Sequence, residues 1–444
     1  MKKYLPILFF IFSSLPESKA QTLAAGREHS LFICNNGTVN AWGYNWGGQL
    51  GNGGNCPPCA SSSVPVNVDS INGITAVDGG GYFSMALKND GTLWTWGYNG
   101  FGQLGNGTSG LYLASSSPVQ INSMAGAVRI DGGGSHSLVL KNDGTVWASG
   151  YNVDGELGNG TNTNSNIYVQ VNFLTGVKAI AAGGYHSLAV KNGYVWSWGG
   201  NGVGQLGIGT GAGSNIPVPV QCIKDIIAVS AGQYNSLALK NDGTVWIWGS
   251  GGGNIPVLVD SLSGITAIST GWWHSLSLKN DGTVWAWGEN SDGQLGNGSY
   301  SSSYNPVPAP VNGLTDIIEI AAAEKYSLAL KNDGTVWTWG SGITTPVLVN
   351  GLCLNVTAVN EIADENIFSI FPNPSTGKFT IQSSEKISSL TIKNELGQTI
   401  YSESKKDFAG EYNSTIDLSN QPKGVYFIDM LCGNERRTRK IILE

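Results

Sequence analysis

The chain has 444 residues, a net charge of −7, only 12% charged residues, 63 glycines and 15 tryptophans. That length allows two or three domains, and scarce charge with abundant glycine and aromatics speaks for short strands and turns, not helices or disorder. The acidic balance repels phosphate backbones, so nucleic-acid binding is not expected, and no apolar run reaches the ~20 residues of a membrane helix.

Residues 1–20 read as a secretory signal. Lys2-Lys3 precede an apolar run over residues 4–12, and Ser18-Lys19-Ala20 puts small residues at the −3 and −1 positions. The mature protein then begins near Gln21 and leaves the cytoplasm, so its thiols can oxidise.

From there a unit of about 50 residues recurs seven times, the signature of one supersecondary element stacked on itself. The aligned serines are Ser30, Ser84, Ser137, Ser187, Ser236, Ser275 and Ser327. Around Ser275, alternating apolar residues (Leu276, Leu278, then Val284, Trp285, Trp287) flank Asn280-Asp281-Gly282, which predicts an antiparallel hairpin. Short β-branched runs upstream, at residues 264–268 and 256–259, add two more strands. Four short strands per repeat is the make-up of a propeller blade. The tryptophans after each hairpin turn are wedges for one blade to press on the next, and the Gly-Gln-Leu-Gly segments are connections with no room for a side chain.

The pattern Gly-x-x-His-Ser-Leu-x-Leu-x-x-Asp-Gly-x-Val-Trp-x-Trp-Gly-x-Asn-x-x-Gly-Gln-Leu-Gly resembles the regulator of chromosome condensation repeat. The resemblance implies a seven-bladed β-propeller over residues 21–359. That family includes a nucleotide-exchange factor for a small GTPase and a secreted bacterial branch typified by a β-lactamase inhibitor protein. Copies five and seven lack Gly-Gln-Leu-Gly after Gly249 and Gly340, so shorter connections are expected there.

Copy one starts at Ala24-Ala25-Gly26 with no Ile-Thr-Ala-Ile strand ahead of it, whereas residues 356–359 follow copy seven with no copy eight after them. The economical reading is that 356–359 complete the first blade and close the ring, leaving no free edges between blades. Cys34 and Cys353 then face each other across that seam and form the expected disulfide. Cys56-Pro-Pro-Cys59, in a Gly/Ser loop, is expected to form a local disulfide, since no second ligand pair or βαβ context supports zinc or redox chemistry.

After a linker at 360–365, tryptophan disappears. Residues 366–444 resemble the C-terminal sorting domain of the type IX (Por) secretion system of the Bacteroidetes group. The residues carrying the resemblance include Pro372, Asn373, Pro374, Gly377, Gly397, Gly424, Tyr426 and Lys440. The segment reads as a small antiparallel β-sandwich of about seven strands. The resemblance implies export by that machinery and a location outside the cell, released or attached to the surface.

No catalytic set stands out. Adjacent His and Ser on one strand point to opposite faces, so the four His-Ser pairs (His29, His136, His186, His274) are scaffold and not base and nucleophile. No metal or cofactor is expected: equivalent positions on separate blades lie too far apart for ~2 Å ligand bonds. The informative positions are those that vary, the turn residues between Gly and the His-Ser pair. There Tyr82, Phe83, Tyr185, Tyr234, Trp272, Trp273 and Tyr326 are expected to ring one mouth of the propeller as a recognition surface. The leading expectation is a monomeric, non-catalytic module that binds an extracellular protein or glycan. A polysaccharide hydrolase or lyase using Glu28, Glu324 or His274 is the alternative. Guanine-nucleotide exchange has only the repeat in its favour.

Overall fold

The computed structural model describes residues 21–54, 58–353, 368–371, 375–383, 387–394, 398–404, 412–432 and 435–443. The chain divides into two compact units, Met1–Asn355 and Val356–Glu444.

The first unit holds seven four-stranded antiparallel sheets in chain order, at residues 23–67, 74–121, 127–170, 177–219, 226–258, 265–310 and 317–348. In each, every strand pairs with its sequence neighbour, the pattern of a propeller blade. First strands of successive blades touch, and that of blade 7 touches that of blade 1. The second and third strands are joined by the expected hairpin. In blade 2, Gly91 N–H donates to Lys88 O, and Asp90 Oδ1 accepts from both the N–H (3.0 Å) and the hydroxyl (2.6 Å) of Thr92. The outermost strands carry Pro65, Pro118, Pro217, Pro256, Pro306 and Pro346, which remove a donor from an exposed edge and discourage edge-to-edge pairing.

At four of the junctions between successive blades, one acceptor is shared. The carbonyl of Gln49 accepts both the Ser84 hydroxyl (2.8 Å) and the Trp96 indole N–H (2.9 Å) of the following blade. Glu156 does the same for Ser187 and Trp198, Gln205 for Ser236 and Trp248, and Gln294 for Ser327 and Trp339. The tryptophan ring is sunk in the core of the preceding blade: Trp96 lies among Leu31 and Val39, and Trp198 among Leu138 and Val146. Gly51, at φ +65°, makes room for it; a Cβ there would lie 2.6 Å from the Trp96 indole nitrogen. Blade 3 has Ser149 where the others have this tryptophan. Tyr168 fills the gap instead, its hydroxyl 2.9 Å from Ser137 Oγ.

The His-Ser pattern completes the junction. His29 Nε2 lies 2.8 Å from Ser84 Oγ of the next blade, and His136, His186 and His274 likewise meet Ser187, Ser236 and Ser327. The serine's single proton already serves the carbonyl, so the histidine must donate, as the neutral Nε2–H tautomer. Burial pushes these imidazoles down to about 3 for His29, His186 and His274 and about 4 for His136.

Blade 1 has a short first strand of its own. The first strand of blade 1 is Leu23–Ala25, paired with His29–Ile33 through Leu23 opposite Phe32 and Ala25 opposite Ser30. The segment expected to complete this blade, 356–359, lies outside the described residues. Three residues suffice because blade 7 supplies the rest. Leu23, Phe32 and Trp42 pack with Leu328, Leu330, Val336 and Val349, and Glu319 Oε1 accepts the N–H groups of Thr22 and Leu23. Cys34 and Cys353 are joined by a disulfide across this seam (Cα–Cα 5.6 Å), and Cys353 N–H donates to Asn40 Oδ1. Cys59 is disulfide-bonded; Cys56 lies outside the described residues. Cys222 is exposed and free. The third-to-fourth strand connections of blades 5 and 7 are short, Gly249 to Gly253 and Gly340 to Ile343.

The second unit has a three-stranded sheet (Phe368–Phe371, Lys378–Ser383, Tyr412–Asp417) and a four-stranded one in the order Thr399–Ser404, Ile387–Asn394, Gly424–Cys432, Glu435–Leu443. Their inner faces share one core of Phe379, Ile381, Leu390, Ile392, Ile416, Ile428, Met430 and Ile441. Gly377 takes φ +112° with its carbonyl accepting Leu418 N–H, and buried Tyr426 donates to Pro422 O. Gly424 opens the third strand of the larger sheet and Lys440 lies on the last, opposite Phe427. Pro372, Asn373, Pro374 and Gly397 lie outside the described residues.

Two outcomes follow from the junctions. Breaking the Cys34–Cys353 bond, which spans 319 residues of chain, by Cys34→Ser lowers unfolding free energy by roughly 2–5 kcal/mol in urea titration. Glu156 is the buried acid where four other copies have Gln49, Gln103, Gln205 and Gln294, and burial raises it from 4.5 to about 7. A raised carboxyl costs stability as pH climbs from its unfolded value to its folded one. Glu156→Gln therefore stabilises by up to about 3 kcal/mol above pH 7, with the gain vanishing near pH 4.5, as read from melting temperatures across that range.

Candidate functional site

The turn between first and second strands is a two-residue loop closed by a backbone bond, for example Gly80 N–H to Phe83 O. Its first residue also bonds to the neighbouring blade. Arg27 N–H reaches Gly80 O, Gly81 reaches Gly133, Gly134 reaches Gly183, Gly184 reaches Gly232, Trp272 reaches Ala323, and Glu324 returns to Arg27 O. These turns form a circle about the axis, and their first residues make its inner rim. Three of those are glycine, in blades 2, 3 and 4. A side chain would not fit: a Cβ on Gly134 would lie 2.9 Å from Gly184 O.

The bare glycines leave a hollow, and larger residues wall it. A cleft of about 300 Å³ lies over Gly81, Gly134 and Gly184, bounded by Arg27, Tyr82, Phe101, Tyr151, Tyr185 and Trp272, with Ser135 and Gln233 also on its wall. Arg27 bonds Glu324 at 2.5 Å and lies under two aromatic faces, its guanidinium carbon 4.3 Å from the Trp272 ring centre and 5.1 Å from that of Tyr82. Burial pulls the Arg27 pKa down, but the Glu324 hydrogen bond and the charges around it outweigh that and hold it above its ordinary value. Burial raises Tyr82, Tyr98, Tyr151 and Tyr234, so these phenols keep their protons.

Of the seven aromatic residues singled out in the sequence, Tyr82, Tyr185 and Trp272 line this cleft. Tyr234 and Trp273 continue from it. Tyr185 and Tyr234 are stacked at 5.3 Å, and Tyr234 meets Trp273 at 5.5 Å. Two belong elsewhere. Phe83 is completely buried in the core between blades 2 and 3, because it occupies the position that is histidine in other copies, at the start of the second strand. Tyr326 occupies the same position in blade 7. Its hydroxyl donates to His29 O at 2.6 Å and lies 2.9 Å from Ser30 Oγ, a structural bond across the ring seam.

A second set of aromatics was not anticipated. Tyr44, Trp46, Tyr98, Phe101 and Tyr151 follow the Trp-x-Trp-Gly segment or its counterpart and form a row, with Trp46 to Tyr98 at 6.0 Å, Tyr98 to Phe101 at 6.4 Å and Phe101 to Tyr151 at 5.1 Å. They reach the mouth because the third strand returns to the end where the turns lie: Tyr44 N–H bonds Glu28 O, and Tyr98 N–H bonds Tyr82 O. Variation between copies at these positions was the available signal. Beyond them the blade-2 loop exposes Leu111 and Tyr112.

Below the cleft the axis is narrow and lined by small residues such as Gly80, Gly133, Ala182 and Ala231. Asp78 accepts Gly132 N–H and Gln21 Nε2, and Asp131 accepts Ala182 N–H. Burial raises Asp78 to about 7; burial and the charge of Asp78 raise Asp131 well above its usual range. Among the described residues no group of three or more His, Cys, Asp or Glu could hold a metal ion. His274 is enclosed and bonded to Ser327, and Glu324 is tied to Arg27, so two of the three groups considered for hydrolysis are committed to the scaffold.

Comparison with known proteins matches this geometry. The family profile described as "RCC1-like domain" spans residues 2–223, half of the chain, and the "Regulator of chromosome condensation (RCC1) repeat" recurs at 226–253, 265–294 and 281–330. The chain belongs to the RCC1-like domain family. The RCC1-like propeller is followed by a "Secretion system C-terminal sorting domain" at residues 369–444, which marks the protein as secreted or held at the cell surface. No helix among the described residues is long and apolar enough to cross a membrane.

The propeller is 36% identical over 139 residues to the probable E3 ubiquitin-protein ligase HERC6 of Homo sapiens, covering 30% of this chain and 13% of that protein. It is 32% identical over 157 residues to the mitochondrial RCC1 domain-containing protein RUG3 of Arabidopsis thaliana, covering 34% and 35%. The match thus spans far less than two thirds of either relative. Human WBSCR16 has a similar fold at TM-score 0.62 and 21% identity, over 70% of this chain and 86% of that one. Prp20p of Saccharomyces cerevisiae gives 0.60 and 20%, over 69% and 81%.

Removing the guanidinium tests the rim. Arg27→Ala leaves the largely enclosed Glu324 carboxylate unpaired and lowers stability by about 1–3 kcal/mol, whereas the double change with Glu324→Gln recovers most of it, as measured by thermal unfolding.

Proposed function

We propose that this secreted or surface-held propeller is a non-catalytic binding module, and that the aromatic cleft at its mouth grips an extracellular protein or glycan. One observation carries the reading. Residues that repeat from copy to copy are consumed in holding blades together, while those that differ gather around one concave site. Rigid aromatic side chains bury large areas at small entropic cost, which suits recognition. The histidines and serines that resemble a catalytic pair are buried between blades, out of reach of a substrate. The sorting domain supports a partner outside the cell and, through that domain, the secretion machinery.

The test uses the full chain immobilised beside a Trp272→Ala/Trp273→Ala double variant of matching secondary structure. Both are exposed to extracellular protein and polysaccharide fractions, and bound protein and carbohydrate are quantified separately. The variant is expected to lose at least about 90% of the specific signal, as loss of central aromatic anchors does at other interfaces. Equal recovery on both surfaces removes the mouth as the binding face. Release of reducing sugar or a cleaved product by the wild type overturns the non-catalytic reading.

A further inference from the structure

Resting on that reading, we infer that the cleft is a subsite for an uncharged saccharide. Three properties of its lining point to this class. The first is shape. The hollow of about 300 Å³ exists because Gly81, Gly134 and Gly184 form its floor, and that volume lies at the lower end of small-ligand pockets. It suits a short stretch of sugar. A protein partner needs a contact of about 800 Å² per side, which the hollow alone does not offer.

The second property is the wall chemistry. Rings of Tyr82, Phe101, Tyr151, Tyr185 and Trp272 surround the hollow. The C–H-bearing face of a pyranose is flat and weakly apolar, and packs on such rings, while its hydroxyls need hydrogen-bonding partners at the edge. Ser135 and the tyrosine hydroxyls supply them. Gln233 adds a carboxamide whose Oε1 has no hydrogen-bond partner among the described residues, so a ligand hydroxyl engages it without breaking an existing bond.

The third property is charge. Among the described residues Arg27 is the one formally charged side chain on the wall, and its guanidinium is already bonded to Glu324 and covered by Trp272 and Tyr82. An anionic ligand competes with Glu324 for it, and a cationic one meets it as a like charge. An uncharged ligand avoids both costs, and the cleft's remaining polarity is of the hydroxyl and amide kind.

The experiment titrates the full chain with neutral hexasaccharides (β-1,4-glucose, β-1,4-N-acetylglucosamine and α-mannose) and with an oligouronate, read by calorimetry and by tryptophan fluorescence. At least one neutral sugar is expected to bind with micromolar to millimolar Kd. Trp272→Ala and Tyr185→Ala each weaken it about tenfold or more, Trp272→Phe stays within about threefold, and Ser135→Trp abolishes binding by filling the hollow. Tighter binding of the uronate overturns the assignment to an uncharged ligand, and no saccharide binding by the wild type overturns the saccharide assignment altogether. The capture of macromolecules by the mouth, measured separately as above, still stands or falls by itself. A sugar bound equally well by wild type and all four variants places its site outside the cleft and also overturns the inference.

Discussion

A backbone carbonyl shared by two donors from the next blade, present at four of the junctions, is the interaction on which the rest of the propeller depends. Each carbonyl oxygen has two lone pairs, and the Gly-Gln-Leu-Gly segment aims one such oxygen at both a serine hydroxyl and a tryptophan indole. The arrangement satisfies two buried donors with one acceptor and places the large apolar ring in the preceding blade's core. It also determines the histidine tautomer. Because neighbouring blades are locked at this spacing, the turns above them meet at hydrogen-bonding distance and the mouth has one shape.

Buried titratable groups pull the stability of this scaffold in opposite directions. The four histidines are held below their ordinary value, so their contribution is complete above about pH 6.5 and is lost as pH falls toward about 3 to 4. Asp78 and Glu156 are raised to about 7, so what they cost is absent near pH 4 and grows toward neutrality. The two ramps overlap in the mildly acidic range and offset each other. The acids lie at the axis and in one junction, while the histidines are spread over four junctions. Local stability therefore shifts around the ring with pH more than the global balance does.

Much of this was readable from the chain alone. Seven aligned serines implied seven blades, and each Asn-Asp-Gly marked a hairpin. The lost Gly-Gln-Leu-Gly segments marked the short connections of blades 5 and 7. The errors also have physical sources. Phe83 and Tyr326 are aromatics at the histidine position; aligned against His29 and His136, Phe83 reads as core, while half-buried Tyr326 spends its hydroxyl on the ring seam. The first strand of blade 1 looked absent because Leu23–Ala25 is half the usual length, and a strand that short is stable only because blade 7 closes over it. The aromatics after Trp-x-Trp-Gly were passed over because nothing local says that a third strand ends beside the turn of the first two.

Sequence by itself determined the repeat, and with it the blade, the number of blades and which positions are scaffold, since these follow from local turn chemistry and from the alternation of side chains along a strand. The sequence also named Tyr82, Tyr185 and Trp272 at the mouth, but the tertiary structure alone decided how they are assembled into a cleft. Arg27 and Glu324 stand at opposite ends of the propeller sequence and become partners only when the circle closes. The hollow beside them exists because three glycines from three different blades fall side by side. No spacing within one repeat carries that information, because it depends on the rotation from one blade to the next, which packing between blades sets.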